Sequence, residues 1–186
     1  MLHEIIIAGF GGQGVMSMGQ LLAYAGMIEE KHVSWLPSYG PEQRGGTANV
    51  SVVISDQPVG SPVIQFPTVA IVLNNPSFQK FEPKVKSGGL LIVNKSLIEL
   101  KSEREDITII EVPATELAGQ IGTTRVANSV ILGAFLEYSK AVTQDAVIES
   151  LKKVLTKRKH HLIPANEQAL SQGALLVKKS NLKRTS

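Results

Sequence analysis

The chain has 186 residues, is 43% hydrophobic, carries a net charge of +3 and contains no cysteine. That length and apolar content fit one compact domain over residues 1–186 with a full core. The missing thiols exclude disulfides, a cysteine nucleophile, zinc–cysteine sites and cysteine-ligated iron–sulfur clusters on this chain.

Residues 2–8 (LHEIIIA) form a short apolar run read as a strand, and GFGGQG follows at once, with glycine at positions 9, 11, 12 and 14. From Val15 the apolar residues Met18, Leu21, Leu22, Ala25 and Ile28 recur at three- and four-residue steps, which predicts an amphipathic helix to about residue 30. Strand, glycine turn and helix together open a doubly wound α/β domain. The backbone N–H groups of such a turn, with the positive end of the helix dipole behind them, suit an anion. Gly9, Gly11, Gly12, Gln13 and Gly14 are therefore candidate binding residues. The spacing matches the dinucleotide fingerprint, but that fingerprint also needs an acidic residue near the end of the second strand. The second strand here, residues 33–36, runs into Pro37 and Ser38 with no carboxylate, and no Walker lysine follows the glycines. Three readings stay open: a site for a phosphate-bearing ligand, a turn whose glycines only permit close packing, and a contact with a partner subunit.

Residues 37–46 (PSYGPEQRGG) break regular structure, and residues 47–55, rich in β-branched side chains, read as a strand. With no helix between strands two and three, a parallel crossover is excluded and the sheet is expected to be mixed. Residues 68–73 form a strand apolar on both faces, a helix opens at Asn74-Asn75-Pro76 and is expected to last until Ser87-Gly88-Gly89, and residues 90–93 and 107–112 are further strands. The remainder reads as helix over 114–120, 128–139, 144–155 and 166–178. Pro113 and Pro164 mark helix starts, and Gly122 and Gly173 punctuate. The expected fold is α/β and Rossmann-like: a mixed, mainly parallel sheet of five or six strands flanked by helices. Loops leaving the carboxyl ends of its parallel strands share one rim, where residues 9–14, 38–46, 74–76 and 94–96 converge. Tyr39 and Arg44 join the candidate site there. Arg44 offers a planar fork for an anion, and its competing reading is an ion pair with Glu42.

No run approaches the roughly 20 apolar residues of a membrane span, the start of the chain does not read as a signal peptide, and the cytoplasm is the expected location. The four histidines show no metal-ligand spacing. Charge is unevenly spread: residues 1–150 sum to −5 and residues 151–186 to +8. The basic residues are not interleaved with aromatics, so no nucleic-acid partner is expected, and an acidic protein partner fits better. Residues 179–186 read as a flexible basic tail.

GFGGQGV at positions 9–15, followed by SYGPEQRGGTANVSVVIS at 38–55, resembles the gamma subunit of 2-oxoacid:ferredoxin (acceptor) oxidoreductases, and most closely the 2-oxoglutarate enzymes. The similarity continues through Asn74-Asn75-Pro76, Ala127-Asn128-x-x-x-Leu132-Gly133-Ala134 and Asn166-x-x-Ala169-x-x-x-Gly173. The resemblance implies a subunit, inactive alone, of a complex that oxidatively decarboxylates a 2-oxoacid and passes the acyl group to coenzyme A. It places thiamine diphosphate, magnesium and iron–sulfur clusters on partner alpha, beta and delta subunits, and makes ferredoxin or a related carrier the acceptor. The absence of cysteine, and of a Gly-Asp-Gly diphosphate motif, agrees. A stand-alone nucleotide-binding protein and a purely architectural subunit are the alternatives.

Overall fold

The computed structural model describes residues 1–39 and 47–180. Six strands make one sheet in the order β2-β3-β1-β4-β5-β6, with β1 at Leu2–Phe10, β2 at His32–Tyr39, β3 at Thr47–Ser55, β4 at Val69–Val72, β5 at Leu90–Asn94 and β6 at Thr108–Val112. β1, β4, β5 and β6 are mutually parallel, whereas β3 runs antiparallel to both β1 and β2. This is the expected mixed, mainly parallel α/β sheet. Its antiparallel part has a simple origin. The short β2–β3 connection cannot hold a crossover helix, so the two strands pair as a hairpin and β3 docks against β1.

Helices cover the two faces unequally. On one face α1 (Val15–Ile28), α3 (Ala114–Ile121), α4 (Ala127–Ser139), α5 (Gln144–Val154) and α6 (Ile163–Lys179) pack on Ile5, Ile7, Val52, Ile71, Ile92 and Ile110. On the other, α2 (Asn75–Phe81) sets Phe78 and Phe81 against Ile6, Ala8, Val72 and Val93. The alternation of odd and even residues along β1 between these cores is the two-residue period of a strand buried on both sides.

Several boundaries differ from the sequence reading: β1 runs on through Gly9 and Phe10, and α6 begins at Ile163 rather than at residue 166. β2 continues through Pro37, Ser38 and Tyr39; it is the terminal strand of the sheet, where proline's missing N–H is tolerated. The helix after β4 ends at Phe81 and tightens into a 3-10 turn over Glu82–Lys84 rather than reaching the Gly88-Gly89 turn. Pro83 cannot continue an α-helix, which accounts for the stop. Gly173 punctuates nothing: it lies inside α6, facing Gly133 of α4. A Cβ on Gly133 would fall 1.9 Å from the Leu170 carbonyl oxygen, and one on Gly173 would fall 1.9 Å from that of Val130. The two helices thus touch backbone to backbone, and Ser129 Oγ donates to Asn166 Oδ1 (2.6 Å) across the same seam.

Candidate functional site

Because β1 and β2 are both antiparallel to β3, they point the same way, and the carboxyl ends of β1, β2, β4 and β5 lie on one rim. Each glycine of the turn after β1 meets a different constraint there. Gly9 is buried on β1, where a Cβ would sit 2.7 Å from Gln13 Oε1. Gly12 and Gly14 take φ of 91° and 78°, the left-handed region that side chains avoid. Gly14 also abuts Asn128, whose Nδ2 would lie 2.0 Å from an added Cβ. Gly11 meets neither demand: it is exposed, its φ is not positive, and nothing lies within 4 Å of where a Cβ would stand.

Gln13 turns its side chain inward. Its Oε1 accepts from the Phe10 N–H (2.6 Å) and from Asn74 Nδ2 (3.2 Å), and its Nε2 donates to the Leu73 carbonyl (3.2 Å). The amide therefore spans the ends of β1 and β4. This is where the sheet's connections change face, α1 leading to one side and α2 to the other, and where a doubly wound fold ordinarily opens a ligand crevice. From 115 residues away Asn128 Nδ2 donates to the Gln13 carbonyl (2.8 Å) and pins the turn from outside. The helix α1 that follows starts at Gly14 with no side-chain cap and no acidic residue in its first turn, so its N-terminal N–H groups and dipole face the rim without a carboxylate to oppose an anion.

Beside this turn lies an open cleft of about 200 Å³. Gly12, Gln13, Asn94, Thr115, Arg125 and Asn128 line it. Arg125 is exposed and forms no ion pair with any described residue. The Gln13 N–H and the Gln13 and Asn128 side-chain amides are engaged within the turn, so the Arg125 guanidinium, beside the threonine hydroxyls of the cleft, is what makes this an environment for an anionic group. A larger cavity, about 330 Å³, sits at the opposite end of the sheet between His3, Thr68, Gly88, Gly89 and Tyr138. There the Gly88 and Gly89 N–H groups already donate to the Asp106 and Lys86 carbonyls, and Lys86 is paired with Glu4. The backbone donors and the lysine of that cavity's loop are thus already engaged.

The sequence-derived residues thus divide. Gly12 and Gln13 join the cleft, with Gly9 and Gly14 shaping the turn behind them. Tyr39 is on the same rim but two strands away, opposite Ala48 and 71% exposed, roughly 10 Å from β1 at ordinary strand spacing. Arg44 and Glu42 lie in residues 40–46, outside the described residues. Of the cleft residues named above, Thr115, Arg125 and Asn128 were missed. Asn128 belongs to a quoted motif, but nothing in that motif reports its long-range bond; Arg125 had a weak signal, as the only Lys or Arg between Arg104 and Lys140. The order β2-β3-β1 also weakens the dinucleotide reading: β3 displaces β2 from the place beside β1 where a ribose-binding carboxylate would stand.

Among the described residues no group of three or more His, Asp or Glu side chains is placed to hold a metal ion, and no helix is long and apolar enough to cross a membrane. The sequence model of the pyruvate ferredoxin/flavodoxin oxidoreductase family matches residues 4–176. The chain is 39% identical over 177 residues to the ketoisovalerate oxidoreductase subunit VorA of Methanothermobacter marburgensis, covering 95% of this chain and 37% of that protein. It is 34% identical over 160 residues to the 2-oxoglutarate synthase subunit KorC of Methanocaldococcus jannaschii, covering 82% and 86% respectively. It therefore spans little more than a third of its VorA relative and most of KorC. Among solved structures, the keto/oxoacid ferredoxin oxidoreductase gamma subunit of Geobacter sulfurreducens superposes with a TM-score of 0.80 at 26% identity, covering 95% of this chain and 99% of that one. The 2-oxoglutarate:ferredoxin oxidoreductase of Magnetococcus marinus shares the fold, with a TM-score of 0.87 at 22% identity over all of this chain and 32% of that one. Its fold, its turn and its relatives agree, and the chain belongs to the pyruvate ferredoxin/flavodoxin oxidoreductase family, resembling within it the gamma subunits of 2-oxoacid oxidoreductases.

Proposed function

We propose that this chain is the gamma subunit of a 2-oxoacid:acceptor oxidoreductase, that it completes the complex without performing chemistry, and that its rim helps to hold coenzyme A. The observation that supports the subunit reading is the correspondence with KorC, which covers 82% of this chain and 86% of that relative. On the same ground the 2-oxoacid is 2-oxoglutarate, with a branched-chain 2-oxoacid as the competitor favoured by the VorA relatives. Thiamine diphosphate, magnesium and iron–sulfur clusters belong to the partner alpha, beta and delta subunits, since this chain has no cysteine to ligate a cluster. A ferredoxin or similar carrier takes the electrons from the complex.

The coenzyme A reading rests on the cleft. Its ligand carries a diphosphate and a 3'-phosphate, the α1 N-terminus faces the rim uncapped, and Arg125 stands unpaired in the cleft wall. Arg44 is proposed as a second cation, from the loop that follows β2. The test is the KM for coenzyme A in complex reconstituted with co-expressed partners. Arg125→Ala or Arg44→Ala should remove a charge-assisted contact of roughly 1.5–3 kcal/mol, a roughly 10- to 150-fold loss of affinity. Gly11→Val adds bulk where the isolated fold has room, so a raised KM in that variant reports a ligand rather than misfolding. If all three variants assemble with an unchanged KM, the turn is architectural and coenzyme A binds elsewhere.

A further inference from the structure

The end of α5 and the 3-10 turn before α6, residues 157–162, carry a second feature that the rim does not use. Lys152, Lys153, Lys157, Arg158 and Lys159 are all exposed, and none forms an ion pair with a described residue. Glu149 stands one helical turn before Lys152 and Lys153, but no Asp or Glu occurs between Glu149 and Glu167, so Lys157, Arg158 and Lys159 have no acidic neighbour in the sequence. The turn that presents them is held in shape. The Lys159 N–H donates to the Thr156 carbonyl (2.7 Å), His160 Nε2 lies 3.0 Å from the Leu155 carbonyl oxygen and His161 Nδ1 lies 2.9 Å from that of Arg158. It also packs between α5 and α6. Five exposed cations thereby share one corner, two on α5 and three on the turn that follows it.

The chemistry of the patch narrows its partner. Cores of permanent subunit interfaces are apolar and depleted in lysine, whereas this corner exposes no large apolar side chain. Single-stranded nucleic acid is bound on aromatic stacking platforms, and no Phe, Tyr or Trp occurs between Tyr138 and the end of the chain. An interfacial membrane helix needs an exposed apolar face, and α5 buries its own in the core through Val147 and Leu151. What remains is a solvated, lysine-rich surface of fixed shape, suited to a fast, salt-sensitive encounter with an acidic protein.

We propose that this corner is a transient docking surface for a small acidic electron-carrier protein that exchanges with the assembled enzyme. The inference rests on the subunit reading above. Its test is turnover of the reconstituted complex with a purified ferredoxin as acceptor, set beside the same assay with methyl viologen, a small cationic acceptor that needs no docking surface. In the fourfold variant K152E/K153E/K157E/R158E, the KM for ferredoxin should rise at least about tenfold at low salt. The kcat and the viologen rate should stay at the unmodified level. High salt should raise the unmodified enzyme's KM toward the variant's. An unchanged ferredoxin KM overturns the proposal, as does a variant that no longer assembles, since the patch would then be a subunit contact. Failure of the unmodified chain to assemble with its partners would instead overturn the subunit reading.

Discussion

Gln13 contributes to the rim through what its amide holds together. One side chain satisfies an N–H at the end of β1, a carbonyl just past β4 and the amide of Asn74, and Asn74 Oδ1 in turn caps α2 through the Ser77 N–H (2.8 Å). Gln13→Leu keeps the bulk and strands these groups, so it should cost about 1–3 kcal/mol, read as a lower urea midpoint of the isolated chain. His3 makes a different kind of contribution. Burial of its ring, then the nearby Lys31 and N-terminal ammonium charges, hold its pKa below the ordinary value, and its Nε2 is buried with no hydrogen-bond partner among the described residues. The unfolded chain therefore takes up a proton below about pH 6.5 that folded His3 resists. Stability should be full above that pH and fall as the solution is acidified through it. His3→Phe retains a ring to pack on Phe135 and should flatten the fall between pH 7.5 and 5.5 in denaturant titrations; an unchanged slope would locate the sensitive group elsewhere.

At the scale of elements, the α4–α6 seam explains why two of the resemblance-bearing motifs read as they do. Leu132-Gly133-Ala134 and Asn166-x-x-Ala169-x-x-x-Gly173 carry the resemblance because Gly133 and Gly173 are where the two helix backbones meet, and Asn166 bonds Ser129 beside them. Gly133→Ala or Gly173→Ala must push the helices apart, at a cost near the upper end of the roughly 1–3 kcal/mol of overpacked cores. Thermal unfolding should show the loss in each single variant, and less than the sum in the double, because both relieve the same contact. The start of α2 was legible because local chemistry sets it, through Asn74 and Pro76; α5 was placed without its cap, Thr143, whose hydroxyl accepts the Ala146 N–H, and α6 starts three residues before its reading. The end of α2 was legible only in hindsight through Pro83. The role of Gly173 was not legible, because a glycine that permits close approach and one that breaks a helix are the same letter until the partner helix is placed.

For the whole molecule, the strand periods and the missing crossover between β2 and β3 were enough to give the mixed sheet. Its rim could be anticipated from strand direction alone. What could not be read was which rim residues meet, since Asn128 and Arg125 come from the far end of the chain and reach the turn only through tertiary packing. Among the described residues the sheet ends at β2, and Pro37 sits within that last strand. An open strand edge invites other chains to add to it, and a residue without an N–H interrupts the ladder such an addition would need. Pro37→Val should leave this fold in place while exposing an unbroken β-rich edge, VSWLVSY over residues 33–39. The consequence should appear as lost solubility: faster growth of light scattering and thioflavin fluorescence on warming at high concentration, with little change in the unfolding midpoint of the dilute chain.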